Sequence, residues 1–272
     1  MSPETDPDID AATARALLEW QAELGVDCAL EARPVDRFAL PDRMPAPAGP
    51  SASPTPGSAG VVPAGGAAAP VADDPIAAAE TAAAAAADLP ALHEALSRYP
   101  YCELRLGAKS LVFADGDPRA RVMIVGEAPG RDEDRLGKPF VGQAGQLLDR
   151  MLAAIGMARD HDDPARAVYI TNVLPWRPPQ NRDPEPAEVA MMLPFLRRHV
   201  ALADPEVLVL MGNHSCHAVL GRRGITKLRG RWDEALDRPV LPMLHPAYLL
   251  RQPHAKRNAW ADLLTLADRL EP

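Results

Sequence analysis

Four polar groups follow four short apolar runs in this chain. Residues 122–125 lead into Gly126-Glu127, residues 168–171 into Asn172, residues 207–211 into Gly212-Asn213, and residues 240–244 into His245-Pro246. A carboxylate can hold or deprotonate a water. A carboxamide carries a donor and an acceptor on one fork, which matches the edge of a planar imide or amide. An imidazole can steady charge developing on a leaving group. Phe140, between Pro139 and Val141, offers a ring on which a flat molecule can stack. Together these groups suit cleavage of a bond to a flat heterocycle. Polar strand ends that merely cap helices would explain any one of them, and all four together poorly.

These groups need elements that bring them together. Short apolar runs bounded by Gly, Pro and Asn read as buried strands. Helical patterns lie between them at residues 144–155, 186–202 and 214–220, with Leu147, Leu148, Met151 and Leu152 on one face of the first. Strands alternating with helices predict an α/β fold, a three-layer α/β/α arrangement around a central, mainly parallel four-stranded sheet. In such a sheet the strands end on one edge, where ligands bind.

The front of the chain reads differently. Residues 10–24 predict a helix with Leu17, Trp20 and Leu24 on a narrow apolar face, either docked on the main domain or held out for a protein partner. Residues 44–75 are dominated by Pro, Gly, Ala and Ser and lack aromatics, so they cannot bury enough surface to offset chain entropy. Residues 76–87 gain helical tendency from Ala alone, and residues 91–99 predict an amphipathic helix with Leu92, Leu96 and Tyr99 inward. The expected division is therefore a helical segment 1–43, a disordered Ala/Pro-rich linker 44–90 and a catalytic domain 91–272.

Charge follows this division. The net charge is −8, yet residues 91–272 carry 23 acidic and 25 basic side chains. A slightly positive domain with local Arg clusters can meet a phosphate backbone. Three widely spaced cysteines, Cys28, Cys102 and Cys216, make no disulfide framework and fit a reducing, cytoplasmic setting. No apolar run reaches the roughly 18 residues of a membrane span.

GEAPGRDEDRLGKPFVGQAGQLLDRML, VYITNVLPWRPPQNRDPEP and LHPAYLLRQP, in that order over roughly residues 91–269, resemble the family 4 uracil-DNA glycosylases, in particular their alphaproteobacterial branch. The resemblance implies the glycosylase fold and a monofunctional enzyme that flips uracil out of DNA and hydrolyses its N-glycosidic bond, starting base excision repair. It implies that Glu127 and the backbone at Ala128 hold the water and the uracil O2 side. It further implies that Phe140 stacks on the flipped base, Asn172 reads the imide edge, and Glu133 faces C5, where the methyl of thymine would clash. His245 would contact O2, and Tyr248, Leu249 and Leu250 would follow on a loop that probes the minor groove. Base flipping costs a few kcal/mol and is easier at a mismatched pair such as U·G. Uracil-containing DNA is then the partner, and the chain is expected to act as a monomer in the bacterial cytoplasm, at the nucleoid during repair.

The chain departs from the family where four cysteines usually hold a 4Fe-4S cluster. The matching positions read Tyr99, Cys102, Trp176 and Met192. Cluster ligation needs thiolates, so the expectation is no cofactor, with apolar packing in the cluster's place. His214 and His217 could share a helix face, but the motif is an ordinary helix start in the family, and no metal is expected there. Arg229, Arg231 and Lys227, with Arg251, Lys256 and Arg257, flank the third motif and are read as DNA phosphate contacts. Arg177 and Arg182 flank Asn172 and could serve DNA or structure. Alternatives are a uracil-DNA binder that traps without turnover, disfavoured because RDEDRLGKPF carries no His, and a glycosylase of broader base specificity. A scaffold or nucleotide-binding protein is disfavoured because GEAPG lacks the Lys and Ser/Thr of a P-loop.

Overall fold

A computed structural model describes residues 74–271 of the chain. The expected helix at 10–24, the start of the linker and Cys28 lie outside the described residues.

The order is α1 (Pro75–Ala85), α2 (Leu89–Arg98), α3 (Leu104–Gly107), β1 (Asp115–Gly116), β2 (Val122–Gly126), α4 (Arg131–Leu136), α5 (Gln143–Ala153) and β3 (Val168–Asn172). There follow α6 (Pro186–Ala203), β4 (Val207–Met211), α7 (Asn213–Leu220), α8 (Ile225–Leu228), β5 (Asp233–Ala235), β6 (Arg238–Met243), α9 (Pro246–Arg251) and α10 (Lys256–Leu270). The sheet runs β1-β3-β2-β4-β6-β5, with β3, β2, β4 and β6 parallel and β1 and β5 antiparallel at the edges. The four parallel strands match the expectation; the sheet has six strands rather than four. The added edges are two and three residues long, too short to leave an alternating signal.

Side-chain alternation along the strands separates two cores. Met123, Val125, Tyr169, Leu208 and Leu210 face one side, where they join Met192, Phe195, Leu196 and Val200 of α6 and Leu92 and Leu96 of α2. Val122, Ile124, Ile170, Val209, Leu241 and Met243 face the other, with Leu148 and Leu152 of α5 and Leu263 and Leu266 of α10. This is the predicted three-layer arrangement.

The structured part begins earlier than expected. Helix α1, inside the segment read as linker, is capped by Asp74 and packs on α6, with Ala79 and Ala83 buried. A face of alanines lets two helices approach closely, so Ala serves here as packing as well as helix propensity. No helix among the described residues is long and apolar enough to cross a membrane.

Candidate active site

The parallel register sets the site. Gly126 pairs with Asn172, and Met211 with Met243, so the polar groups leave one edge together. Beyond the last pair, Val173 N–H donates to the Gly126 carbonyl and Leu174 N–H to that of Glu127, each at 3.0 Å. Gly212 N–H donates to the Met243 carbonyl at 2.9 Å. These bonds hold the first residues of each loop in the geometry of the strands.

A cavity of about 510 Å³ opens at this edge, within the usual range for small-ligand sites. Glu127, Ala128, Glu133, Phe140, Asn172, His245, Tyr248 and Arg251 all line it. Its floor is tightly built. A β-carbon on Gly126 would lie 2.3 Å from Asn172 Oδ1 and 2.5 Å from Phe140 Cε2, so only glycine lets both side chains close over the strand. The Asn172 side chain is 6% exposed and bonds to no described residue, so its donor and acceptor remain available at the cavity.

Phe140 is held in a costly conformation. Its φ is +53°, in the left-handed region, which costs about 1–2 kcal/mol for a residue with a β-carbon. Gly145 permits it, since a β-carbon there would meet the Phe140 carbonyl at 1.7 Å. Arg159 fixes it, donating to the carbonyls of Phe140 at 2.9 Å and Pro139 at 3.0 Å while pairing with Asp115 and Asp149. The ring lies 5.4 Å from that of His245, tilted by 31°.

His245 caps α9. Its Nδ1 accepts from Ala247 N–H at 3.2 Å, which leaves the ring proton on Nε2. Desolvation, with Arg251 and His214 nearby, pushes its pKa down to about 4, so it is a neutral donor at pH 7. The Glu127 carboxyl shows the opposite effect. Burial, and then the like charge of Asp183, push it up to about 7.

Some expected residues play other parts. The Glu133 carboxylate accepts from the backbone N–H groups of Gly130, Val141 and Gly142. It therefore braces the loop that carries Phe140 while forming part of the cavity wall. Leu249 is fully buried. The segment expected as a probing loop is helix α9, started by Pro246 at its first position; Leu250 is exposed and Tyr248 half-buried. Arg229 turns inward, donating to the buried Asp262 carboxylate and the Asn258 carbonyl, which occupies the fork expected to meet phosphate. Arg231 and Arg251 are exposed. Arg182 pairs with Glu188 and braces the turn before α6; Arg177 donates to Asn181 at 2.7 Å.

Asp183 and His214 also line the cavity. Neither was singled out for the Glu127 neighbourhood, and no sequence spacing links a loop, a strand end and a helix start. Arg159 was missed too, because its partners lie 10 to 44 residues away.

The family model of the uracil DNA glycosylase superfamily matches residues 113–264, more than half of the chain. The chain belongs to the uracil DNA glycosylase superfamily. It is similar to a type-4 uracil-DNA glycosylase of Sulfurisphaera tokodaii, at 39% identity over 166 residues, 57% of this chain and 73% of that protein. One from Thermotoga maritima is 38% identical over 161 residues, 58% and 81% of the two chains. A type-5 uracil-DNA glycosylase of Pyrobaculum aerophilum is 33% identical over 146 residues, 49% and 64% of the two chains.

In this superfamily member the four positions expected from the resemblance to stand in for cluster ligands carry side chains that do not suit one. Tyr99, Cys102, Trp176 and Met192 are all buried within one core. The Tyr99 hydroxyl donates to the Pro75 carbonyl at 2.6 Å, and its ring meets Phe195 edge-on. Burial pushes the Cys102 thiol up to about 11, so it stays protonated. A phenol, a neutral thiol, an indole and a thioether do not supply four thiolates.

Proposed function

We propose that the chain excises uracil from DNA by hydrolysing its N-glycosidic bond, a first step of base excision repair, and that it does so without an iron–sulfur cluster. The observation that carries this reading is the unspent Asn172 amide beside Phe140 at the cavity floor. Uracil presents an N3–H donor next to a carbonyl acceptor, and the Asn172 fork matches that pair. Cytosine presents an acceptor at N3 and an amino donor beside it, which leaves the same buried fork mismatched. Sites built to hydrogen-bond one edge reject the wrong edge strongly.

In this reading the flipped base stacks on Phe140, with the braced Glu133 wall near C5. As the bond between C1′ and N1 breaks, negative charge moves onto the uracil ring and O2. The neutral His245 Nε2–H donates to O2, where an aligned donor in a dry site is worth most. Water held by Glu127 attacks C1′, its oxygen forming the new bond and its proton passing to the carboxylate. A pKa near 7 suits a group that takes up a proton at neutral pH. The half-buried Tyr248 and the exposed Leu250, Arg231 and Arg251 are assigned to the DNA.

A uracil-containing oligonucleotide, single- and double-stranded, tests this after incubation and alkaline cleavage. Free uracil released over many turnovers is expected. A heat-stable shifted band without turnover would make the chain a trap, and release of other bases at equal rates would remove the Asn172 selection.

A further inference from the structure

Two side chains on the cavity wall have no part in the reaction as proposed. Asp183 follows the turn at Pro179–Asn181, and His214 lies in the first turn of α7. His214 Nε2 is 3.9 Å from Glu127 Oε2 and 3.6 Å from Asp183 Oδ2. One ligand atom from each of the three residues lies within 4.8 Å of the other two. Three elements distant in sequence therefore bring an imidazole nitrogen and two carboxylate oxygens around one point.

Ligands held at zinc distances in a tetrahedron sit roughly 3.3–3.5 Å from one another. The two nitrogen–oxygen distances exceed that by a few tenths of an ångström; rotation of the exposed Asp183 side chain can shorten its own distance, and rotation of the half-buried His214 ring the one to Glu127. The Glu127 carboxylate accepts no hydrogen bond from any described residue. A bound cation would give it a partner. An imidazole among the ligands favours zinc and its neighbours over magnesium or calcium.

We propose that Glu127, Asp183 and His214 form a binding site for a divalent transition-metal cation such as zinc, with its remaining coordination positions open to the cavity. Such a cation takes the Glu127 oxygen that the proposed reaction uses for water, so it inhibits excision. That consequence rests on the reading of Glu127 given above; the site itself does not.

The test uses the full chain, stripped with a chelator, and zinc chloride as probe. Calorimetric titrations compare the wild type, His214→Ala, Asp183→Asn and, as a control, the neighbouring His217→Ala. One-to-one binding is expected in the wild type and in the control, weakened about tenfold or more in the other two. Wild-type affinity in either His214→Ala or Asp183→Asn, or no one-to-one uptake by the wild type, overturns the site. Excision is followed in parallel. Inhibition by zinc that a chelator reverses and His214→Ala weakens supports the site together with the water role of Glu127. One-to-one binding that weakens in both His214→Ala and Asp183→Asn but leaves excision running supports the site and counts against that role.

Discussion

Arg159 donates to the carbonyl of Phe140 at 2.9 Å, and this bond fixes a left-handed residue at the floor of the cavity. The guanidinium reaches two carbonyls and two carboxylates at once, which only a planar fork can do. Arg159→Lys keeps the charge and loses the fork. We expect kcat/KM for uracil release to fall about tenfold or more, since small displacements of a positioning ring are costly. The folded state should survive, with Tm lower by a few degrees. An unchanged kcat/KM would mean that Phe140 holds its place without the clamp.

Tyr99 is one of the four positions expected from the resemblance to replace cluster ligands, and its hydroxyl ties α1 to the domain through the Pro75 carbonyl. The purified protein should be colourless, with iron far below one cluster per chain by elemental analysis. Cys102→Ala should retain excision, because the thiol is buried and protonated. Tyr99→Phe should cost about 1 kcal/mol, the worth of one hydrogen bond, seen as a small drop in Tm. A brown protein containing stoichiometric iron would overturn the reading of all four positions.

The three polar groups at the strand ends should fail in different ways. Asn172→Ala should abolish the preference for uracil, with kcat/KM down about 100-fold or more. Glu127→Gln should lower kcat by about 10²–10⁴ while DNA binding persists. His245→Ala should lower kcat by about 10²–10³, since a neutral donor is lost at O2. Single-turnover kinetics beside a binding assay separates these outcomes. Three variants with wild-type rates would sink the site assignment.

Much of this architecture is legible in the chain because burial on both faces forces continuous apolar runs. Those at 122–125, 168–171 and 207–211 became β2, β3 and β4 almost to the residue. The polar residues that follow are equally visible, since parallel strands must end on one edge. What stayed hidden depends on side-chain direction or on distant partners. Leu249 and Leu250 look alike in sequence, and only the turn of α9 sends one into the core. Pro246 after His245 was an available sign of that helix. Arg229 looked like a phosphate contact because its partner Asp262 lies 33 residues on. Gly130 and Glu133, spaced as a helix cap and its third residue, could have shown the bracing role of that carboxylate.

His199 supplies a pH test of the core. It is 4% exposed, its Nε2 lies 2.9 Å from the Tyr169 hydroxyl, and its ring stacks on Phe113 at 4.4 Å. Desolvation pushes its pKa down to about 3, against about 6.5 in the unfolded chain. A base with a depressed folded pKa contributes fully above pH 6.5. As the pH falls below that value the unfolded chain takes up a proton that the folded chain refuses, so stability drops. The slope from one such group approaches about 1.4 kcal/mol per pH unit. Glu127 and Asp262, which burial raises to about 7 and about 6, act in the opposite direction. The difference between two proteins therefore carries the test. Urea unfolding of the wild type and of His199→Phe should be compared at pH 7.5, 6.5 and 5.5. The variant starts lower, because the Tyr169 hydroxyl loses its partner, but its stability should fall less steeply on acidification. Parallel profiles would show that His199 takes up its proton as readily in the folded protein as in the unfolded chain.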